Sequence, residues 1–392
     1  MNILFVTSGA LPVPAVKGGA VENLVQSLLK ENIKQKEWNF DVVSIHDEEA
    51  LKQKDKYINT NFYFINDKKK LNIKKIFRFC INKFLSKVYI GNSFVSKVAK
   101  LKLKKNYDFV IIENAPEYVL YLKRFWKNSK FILHLHNDYL TLETKNVKEI
   151  INSYNQIWCI SNFLVERVRR LTDEKDKVKI LYNGIDLSLF KSSSLSKDIL
   201  KQYDLEGNFI FVFSGRLVKE KGIEELIEAF KLLEKEKENV KLIIIGGKGY
   251  SNNKEDNFVK KLKKNESKNI IFTGYLNYEN IQEIYSIANV GIIPSLCEDA
   301  FNLTTVEFMA MEKALIISDK GAMKEIATTK CALVVPTKDN FIESLKNAMN
   351  LIIEDEKLRL NLQKEARERA KIFSKEKFFR DFSILVKRNE EG

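Results

Sequence analysis

Short apolar runs alternate with longer stretches in which apolar residues recur at helical spacing. In the first half the runs predict seven β-strands, with helical patterns between them at 20–32, 117–126 and 162–171. Strands separated by helices are typical of parallel βαβ units. The predicted strands are residues 3–7, 41–45, 62–65, 109–112, 131–134, 156–160 and 179–182.

A second alternating series follows a change of composition. Residues 187–208 are rich in serine, with a weak pattern, and are predicted as a linker. The helix at 223–235 has one apolar face, and the strands of this half are predicted at 209–214, 241–245, 269–273, 290–293, 314–318 and 332–335. The fold class is therefore α/β, with two doubly wound Rossmann-like domains, 1–186 and 209–373, that face an interdomain cleft. A C-terminal helix at about 374–392 is predicted to pack back on the first domain.

Composition narrows the class of protein. A length of 392 residues favours two domains, and no apolar run is long enough for a transmembrane helix. The start of the chain reads as a β-strand without a basic region before it, so no signal peptide is expected. The four cysteines are scattered, which indicates free thiols in a reducing compartment. A cytoplasmic protein is predicted.

Positive charge is concentrated in one segment. The net charge is +14, and residues 68–105 contain thirteen Lys or Arg but no Asp or Glu. Apolar residues interleave with the cations, so three interpretations stay open. The segment is a core helix with a solvated basic face, or it docks on an anionic membrane surface at the inner face of the cell membrane. Nucleic-acid binding is disfavoured, because no nucleic-acid motif accompanies the charge.

The most informative motif begins after the predicted strand 290–293. Asp299 and Glu307 are eight residues apart, and a helix is predicted to begin near Asn302. In open α/β sheets, ligands bind at such strand ends, and a helix N-terminus attracts anions. Carboxylates accept hydrogen bonds from hydroxyl groups. The motif therefore suits a ligand with both hydroxyls and phosphate, such as a nucleotide sugar.

Two further loops carry phosphate-binding chemistry. Gly215 and Arg216 directly follow the predicted strand 209–214, and Lys221 lies further along the same loop. Arginine binds phosphate in a bidentate manner and lysine adds a compact charge, which suits a diphosphate leaving group. Gly18 and Gly19 precede the first helix and allow a backbone to approach a ligand closely. The dinucleotide fingerprint GxGxxG is absent here, which argues against an NAD or FAD enzyme.

Histidine is scarce, with three in the chain. His134 ends the predicted strand 131–134, and His136 lies two residues further on. Because side chains alternate along an extended strand, the two histidines are expected on the same side. We expect His136 rather than His134 to line the site. A multi-histidine metal centre is not expected, and no DxD-type metal motif is present.

Together these motifs resemble the retaining glycosyltransferases of family 4, which have the GT-B fold. The likeness covers nearly the whole chain and includes the Gly-Gly loop, the histidine, NGID at 183–186, SGRLVKEKG at 214–222, the FTG turn at 272–274 and the segment that contains Asp299 and Glu307. The last resembles the E-x7-E motif of this family, with Asp299 in place of the first Glu.

The resemblance implies roles for individual residues. Arg216 and Lys221 would bind the donor diphosphate, Asp299 would contact sugar hydroxyls, and Glu307 would hold the ribose. Glu298 could substitute for Asp299. Gly18 and Gly19 would approach the phosphate, and His136 would contact the transferred sugar. Backbone N–H groups would hold sugar and phosphate at Phe301, Asn302, Leu303 and Thr304.

The sequence departs from the family pattern at several positions. Asp299 is shorter than Glu, Asn302 stands where Gly is usual, and Phe308 stands where Ala is usual. Glu312 and Lys313 replace the common Gly of the turn that follows, and the changes at these glycine positions predict altered donor choice or weak activity.

The implied function is transfer of a sugar, with retention and without a metal or other cofactor, from a nucleotide-diphosphate sugar. The donor is expected to be UDP-linked, and the acceptor a lipid-linked or cell-surface polysaccharide precursor. Two alternatives stay open: a non-catalytic subunit that binds nucleotide sugars, and a nucleotide-sugar epimerase of the same fold.

Overall fold

The computed structural model describes residues 1–67, 93–101, 103, 105–190, 197–249, 256–276 and 278–390. The chain divides into two compact units: unit 1 comprises Met1–Gly184 and Lys375–Gly392, and unit 2 comprises Ile185–Ser374. Most of the basic segment at 68–105 lies outside the described residues. Within the described part of the chain, no helix is both long and apolar enough to cross a membrane.

Unit 1 is built on a parallel sheet with strand order β3-β2-β1-β4-β5-β6-β7. Its strands are Asn2–Val6 (β1), Asn39–Ile45 (β2), Thr60–Ile65 (β3), Phe109–Glu113 (β4), Lys130–Leu135 (β5), Gln156–Cys159 (β6) and Val178–Ile180 (β7). The helices before unit 2 begins are Ala20–Gln35 (α1), Glu48–Gln53 (α2), Ser93–Val98 (α3), Val119–Leu122 (α4), Val147–Ser153 (α5) and Asn162–Arg169 (α6).

Unit 2 has a second parallel sheet, with order β10-β9-β8-β11-β12-β13. Its strands are Phe209–Ser214 (β8), Val240–Ile245 (β9), Ile270–Gly274 (β10), Val290–Ile293 (β11), Ala314–Ser318 (β12) and Ala332–Val335 (β13). The helices are Lys197–Gln202 (α7), Ile223–Leu233 (α8), Asn257–Lys263 (α9), Tyr278–Ile287 (α10), Leu303–Ala310 (α11), Met323–Ile326 (α12), Phe341–Glu354 (α13) and Glu356–Ala370 (α14).

The predicted α/β class with two doubly wound sheets is confirmed. Every predicted strand is present, with ends shifted by no more than two residues. Strands β1, β4, β9 and β12 are buried along almost their whole length, because helices cover both faces of a parallel sheet. This two-sided burial explains why the strands read as continuous apolar runs. The prediction at 117–126 was longer than the structure shows, since α4 ends at Leu122.

The C-terminal helix Lys375–Glu390 (α15) belongs to unit 1. Phe378, Phe382 and Val386 lie in the same buried cluster as Phe5 and Phe40 of the sheet. The stretch 187–208 was predicted as a linker, but unit 2 begins at Ile185, so the described residues of that stretch belong to unit 2. They include helix α7 and the buried Leu205.

Candidate functional site

The strand order of unit 2 reverses between β8 and β11, which are neighbours in the sheet. At such a reversal the loops after the two strands diverge and leave a crevice at the carboxyl ends of the strands. The loop after β8 carries Gly215, Arg216 and Lys221, and the loop after β11 comprises residues 294–302. Two motifs that are far apart in the sequence therefore flank one crevice.

An ion pair joins these loops. Lys221 Nζ lies 2.5 Å from Asp299 Oδ1 and 2.7 Å from Oδ2. Ser295 Oγ and Asn302 Nδ2 also donate hydrogen bonds to Asp299 Oδ2, at 3.1 and 3.3 Å. The Lys221 and Asp299 side chains are 16% and 17% exposed. The ammonium group is thus held at a fixed place within the crevice.

Backbone contacts bring Lys221 to this position. Gly222 has a φ of 68°, and a Cβ there would lie 2.0 Å from the carbonyl oxygen of Pro294. Only glycine therefore lets this turn lie against the loop after β11. The Glu220 carbonyl accepts hydrogen bonds from the backbone N–H groups of Leu296 and Cys297, at 2.9 and 3.2 Å.

Arg216 is the more exposed of the two predicted phosphate-binding cations. Its side chain is 40% exposed, and Nη2 lies 3.8 Å from Glu220 Oε1. Gly215, which precedes it, donates its N–H to the Ile245 carbonyl at the end of β9. Arg216 thus extends from a backbone that is fixed to the sheet, but its guanidinium group is open to solvent and to ligands.

Helix α11 begins at the crevice. Asn302 is its N-cap, and Asn302 Oδ1 accepts hydrogen bonds from the Thr305 N–H (3.0 Å) and Thr305 Oγ1 (3.1 Å). The first N–H groups of a helix have no partner within the helix, so those of Leu303 and Thr304 favour an anionic ligand. Asn302 stands where the family pattern has Gly, and in this chain it stabilises the helix end.

The other residues of the motif differ in exposure. Glu298 is exposed, whereas Glu307 is only 5% exposed. The Tyr285 hydroxyl donates a hydrogen bond of 3.2 Å to Glu307 Oε2. The Phe301 ring packs edge-on against Phe373, with ring centroids 5.5 Å apart.

In unit 1 the strand order reverses between β1 and β4. The loop after β1 ends in Gly18 and Gly19, with φ of 71° and 96°, directly before helix α1. A Cβ on Gly19 would lie 2.2 Å from Glu22 Oε2, so the Glu22 carboxyl group fills the space beside this loop. The predicted Gly-Gly motif thus lies at the corresponding reversal of the first sheet.

A buried polar cluster lies at the carboxyl ends of β4 and β5. Glu113 Oε2 lies 2.7 Å from His136 Nε2 and 3.1 Å from His134 Nδ1, and the imidazole centroids are 4.1 Å apart. Glu113 is 0%, His134 2% and His136 6% exposed. His134 also packs against the rings of Trp158 and Phe378. The deep burial of His136 was not predicted.

Burial and charge determine the ionisation of these groups. Burial alone would raise the pKa of Glu113, but the charges and hydrogen bonds of His134 and His136 outweigh it and lower that pKa to about 2. Burial, with a contribution from the charge of His134, lowers the pKa of His136 to about 4. Burial also raises the pKa of Glu22 to about 7, and the Glu113 charge adds to this effect. Near neutral pH, the cluster is therefore a carboxylate hydrogen-bonded to a neutral His136.

Comparison with known families identifies the chain. Residues 21–189 match the model of Glycosyltransferase Family 4, and residues 196–369 match that of Glycosyl transferases group 1. The chain belongs to glycosyltransferase family 4. The enzyme is a transferase of the glycosyltransferase class, and its fold is of the GT-B type.

Relatives and solved structures resemble the glycosyltransferase over most of its length. A putative glycosyltransferase, YtcC of Bacillus subtilis, is 24% identical, covering 94% of this chain and 87% of the relative. A lipopolysaccharide 1,2-N-acetylglucosaminetransferase of Salmonella typhimurium is 27% identical, with coverage of 61% and 63%. A glycosyltransferase of Rickettsia africae has a TM-score of 0.76 at 20% identity, covering 100% of this chain and 99% of the other. Anabaena Alr3699/HepE, solved in complex with UDP, also has a TM-score of 0.76, at 18% identity, with coverage of 99% and 100%.

The structure of the glycosyltransferase brings together part of the predicted site. Lys221, Asp299 and Asn302 are in direct contact, and Glu307 lies one turn into the helix that Asn302 caps. Arg216 lies on the same loop as Lys221. Gly18, Gly19 and His136 belong to unit 1. The roles of all these residues, and a cleft shared by the two units, stay predictions.

Sequence reasoning missed two residues, Glu113 and Tyr285. Glu113 ends β4 and pairs in register with His134 on β5, so the pairing of these two strands is the signal that could have found it. Tyr285 lies inside an apolar helical pattern, where nothing in the sequence distinguishes it from other core residues.

Among the described residues, Glu113, His134 and His136 form the group whose ligand atoms lie close enough together to hold a metal ion. Two imidazoles and a carboxylate suit a divalent transition metal. Their N–O distances are also those of ordinary hydrogen bonds, so the carboxylate has partners without an ion.

Proposed function

We propose that the enzyme transfers a sugar from a nucleotide-diphosphate sugar, UDP-linked, with retention of configuration. The acceptor is a lipid-linked or cell-surface polysaccharide precursor. The observation that carries the proposal is the Lys221 ammonium group, which Asp299 holds between two loops at the strand-order reversal of unit 2. The acceptor, which nothing in the site identifies, rests on the resemblance and the relatives.

The chemistry of the crevice supports a donor bound there. Lys221 and Arg216 bind the diphosphate, and the N-terminus of α11 adds N–H groups and a partial positive charge to the same anion. Asp299 accepts hydrogen bonds from sugar hydroxyls, and Glu307 accepts them from the ribose. Lys221 then exchanges part of its contact with Asp299 for the ligand phosphate.

The reaction needs stabilisation of the leaving group more than it needs a strong base. The bond from the anomeric carbon to the diphosphate breaks, and a bond to the acceptor oxygen forms on the same face. The acceptor proton passes to a departing phosphate oxygen. Lys221, Arg216 and the helix end stabilise the negative charge that builds on the diphosphate. This chemistry uses neither a metal nor another cofactor.

His136 and the Gly-Gly loop contribute from unit 1 in this proposal. Gly18 and Gly19 approach the phosphate, and His136 contacts the transferred sugar. Because His136 is only 6% exposed, this contact requires the side chains that cover it to move. The structure therefore supports His136 less directly than Lys221.

The relatives support the finer parts of the proposal. The Anabaena structure contains UDP, and the Salmonella relative is named for transfer of N-acetylglucosamine to lipopolysaccharide. The first favours a UDP-sugar donor, and the second favours an acceptor of the cell-surface glycan class. The enzyme would meet that acceptor at the inner face of the cell membrane.

The double variant Arg216→Ala/Lys221→Ala tests the proposal. Loss of two charge-assisted contacts to the leaving group should lower donor turnover by at least 100-fold, on the order of 3 kcal/mol. Turnover is measured as UDP released from UDP-glucose and UDP-N-acetylglucosamine, with a lipid-linked acceptor and without one. Lys219→Ala, which removes an exposed lysine of the same loop, is the matched control.

Turnover of the double variant within about tenfold of wild type would show that these cations do not serve the leaving group. Tight donor binding without any transfer or hydrolysis by the wild type would instead favour a non-catalytic nucleotide-sugar-binding subunit.

A further inference from the structure

A residue of a second helix makes a hydrogen bond to Glu307, the carboxylate that is predicted to bind ribose. Tyr285 lies on α10 and is 0% exposed, and its hydroxyl donates a hydrogen bond of 3.2 Å to Glu307 Oε2. Glu307 is itself almost fully buried, at 5% exposure. Because a hydrogen bond to a buried carboxylate is stronger than one in water, this contact restrains the direction in which the carboxylate points.

The tyrosine ring is fixed by the residue that departs from the family pattern. The Tyr285 ring stacks on Phe308, with centroids 4.2 Å apart and planes inclined by 29°. Phe190 also stacks on Tyr285, more loosely, with its centroid 6.3 Å from that of Tyr285. A Cβ on Gly291 would lie 2.6 Å from the Phe308 ring, so strand β11 accommodates this ring only because it has glycine there. The chain has Phe at position 308, where the family pattern has Ala, and Gly291 and Tyr285 accommodate this larger side chain.

We propose that Tyr285 is a positioning residue for nucleotide binding. Its hydroxyl orients the Glu307 carboxylate toward the ribose hydroxyls of a nucleoside diphosphate, and Phe308 on Gly291 holds the Tyr285 ring in place. This inference rests on the proposed function, in which Glu307 binds the ribose. Tyr285 itself does not touch the ligand.

The variant Tyr285→Phe tests this inference, because it keeps the ring stack and removes only the hydroxyl. Affinities for UDP and for 2′,3′-dideoxy-UDP, which lacks both ribose hydroxyls, are measured by calorimetry on the full-length protein. The ratio of the two affinities reports contacts to the ribose hydroxyls and is insensitive to a general loss of binding. Glu307→Gln shows how far this ratio falls when the carboxylate is replaced, and Tyr203→Phe is the control in the same unit.

The wild type should prefer UDP over 2′,3′-dideoxy-UDP by at least about tenfold, and Tyr285→Phe should reduce that preference by roughly three- to tenfold. Tyr203→Phe should leave it unchanged. An unchanged preference in Tyr285→Phe, or an equal loss for both ligands, would overturn the inference and leave the proposed function intact.

The remaining outcomes separate the two proposals. If the wild type binds UDP but does not discriminate against the dideoxy ligand, Glu307 does not bind ribose. The inference then fails together with the ribose contact of the proposed function, while donor binding and sugar transfer stand. If the wild type binds none of UDP, GDP and ADP, the proposed function fails, and the inference fails with it.

Discussion

Replacing Glu22 with glutamine should change how the stability of unit 1 depends on pH. Glu22 is 5% exposed in the first turn of α1, and its carboxyl group lies against the Gly18-Gly19 loop. Burial disfavours the carboxylate and raises the pKa from 4.5 to about 7. Glutamine has nearly the same shape and no charge to bury.

The sign follows from proton binding. Between pH 4.5 and 7 the folded protein holds a proton on Glu22 that the unfolded chain has released, so the free energy of unfolding falls as pH rises through this window. At 1.36 kcal/mol per pKa unit the full effect is roughly 3 kcal/mol, of which about 2.5 kcal/mol is lost between pH 5 and pH 8.

Tryptophan fluorescence during urea unfolding measures this effect in unit 1 alone. The three tryptophans of the chain, Trp38, Trp126 and Trp158, all lie in unit 1. Relative to wild type, Glu22→Gln should gain about 2.5 kcal/mol between pH 5 and pH 8. Titration of Glu113 and His136 affects both proteins and largely cancels from this difference.

The surface variant Glu149→Gln serves as the control, because its side chain is exposed in the same unit. It should follow the wild-type pH dependence. The reasoning would be refuted if Glu22→Gln also followed it, since Glu22 would then titrate alike in the folded and unfolded chain.

Two further predictions concern the donor side. Asn302→Ala removes the N-cap of α11 and should destabilise unit 2 by about 1 kcal/mol, whereas Asn302→Gly should cost only a few tenths of a kcal/mol. Amide hydrogen exchange of α11 measures both effects. Equal protection of the helix in the wild type and both variants would contradict the capping role. The rate of sugar transfer by enzyme prepared with EDTA should match that of untreated enzyme, because basic side chains and a helix end stabilise the leaving group. Activity that falls with EDTA and returns with a divalent metal would contradict the metal-free mechanism.

The sequence predicted the parallel strands well, because two-sided burial leaves continuous apolar runs that turn residues interrupt. It also placed the loops around Lys221 and Asp299 at strand ends, and Asn302 at a helix start. Their convergence follows from the strand order, which brings β8 and β11 together across 75 residues of intervening chain.

What the sequence could not supply were contacts between distant elements. Glu113 became significant only when β4 paired with β5 beside both histidines, and Tyr285 only when α10 packed on α11. Residues 187–208 resemble a linker in sequence because most of them are polar, although Leu205 is buried in unit 2.

The most direct test of the account is a calorimetric titration of the wild-type enzyme and of Lys221→Ala with UDP-, GDP- and ADP-sugars. The account predicts that the wild type binds a UDP-sugar more tightly than the others and that Lys221→Ala weakens this binding at least tenfold. Equal binding by both proteins, or no binding of any nucleotide sugar by the wild type, would contradict the claim that the crevice beside β8 and β11 is the donor site.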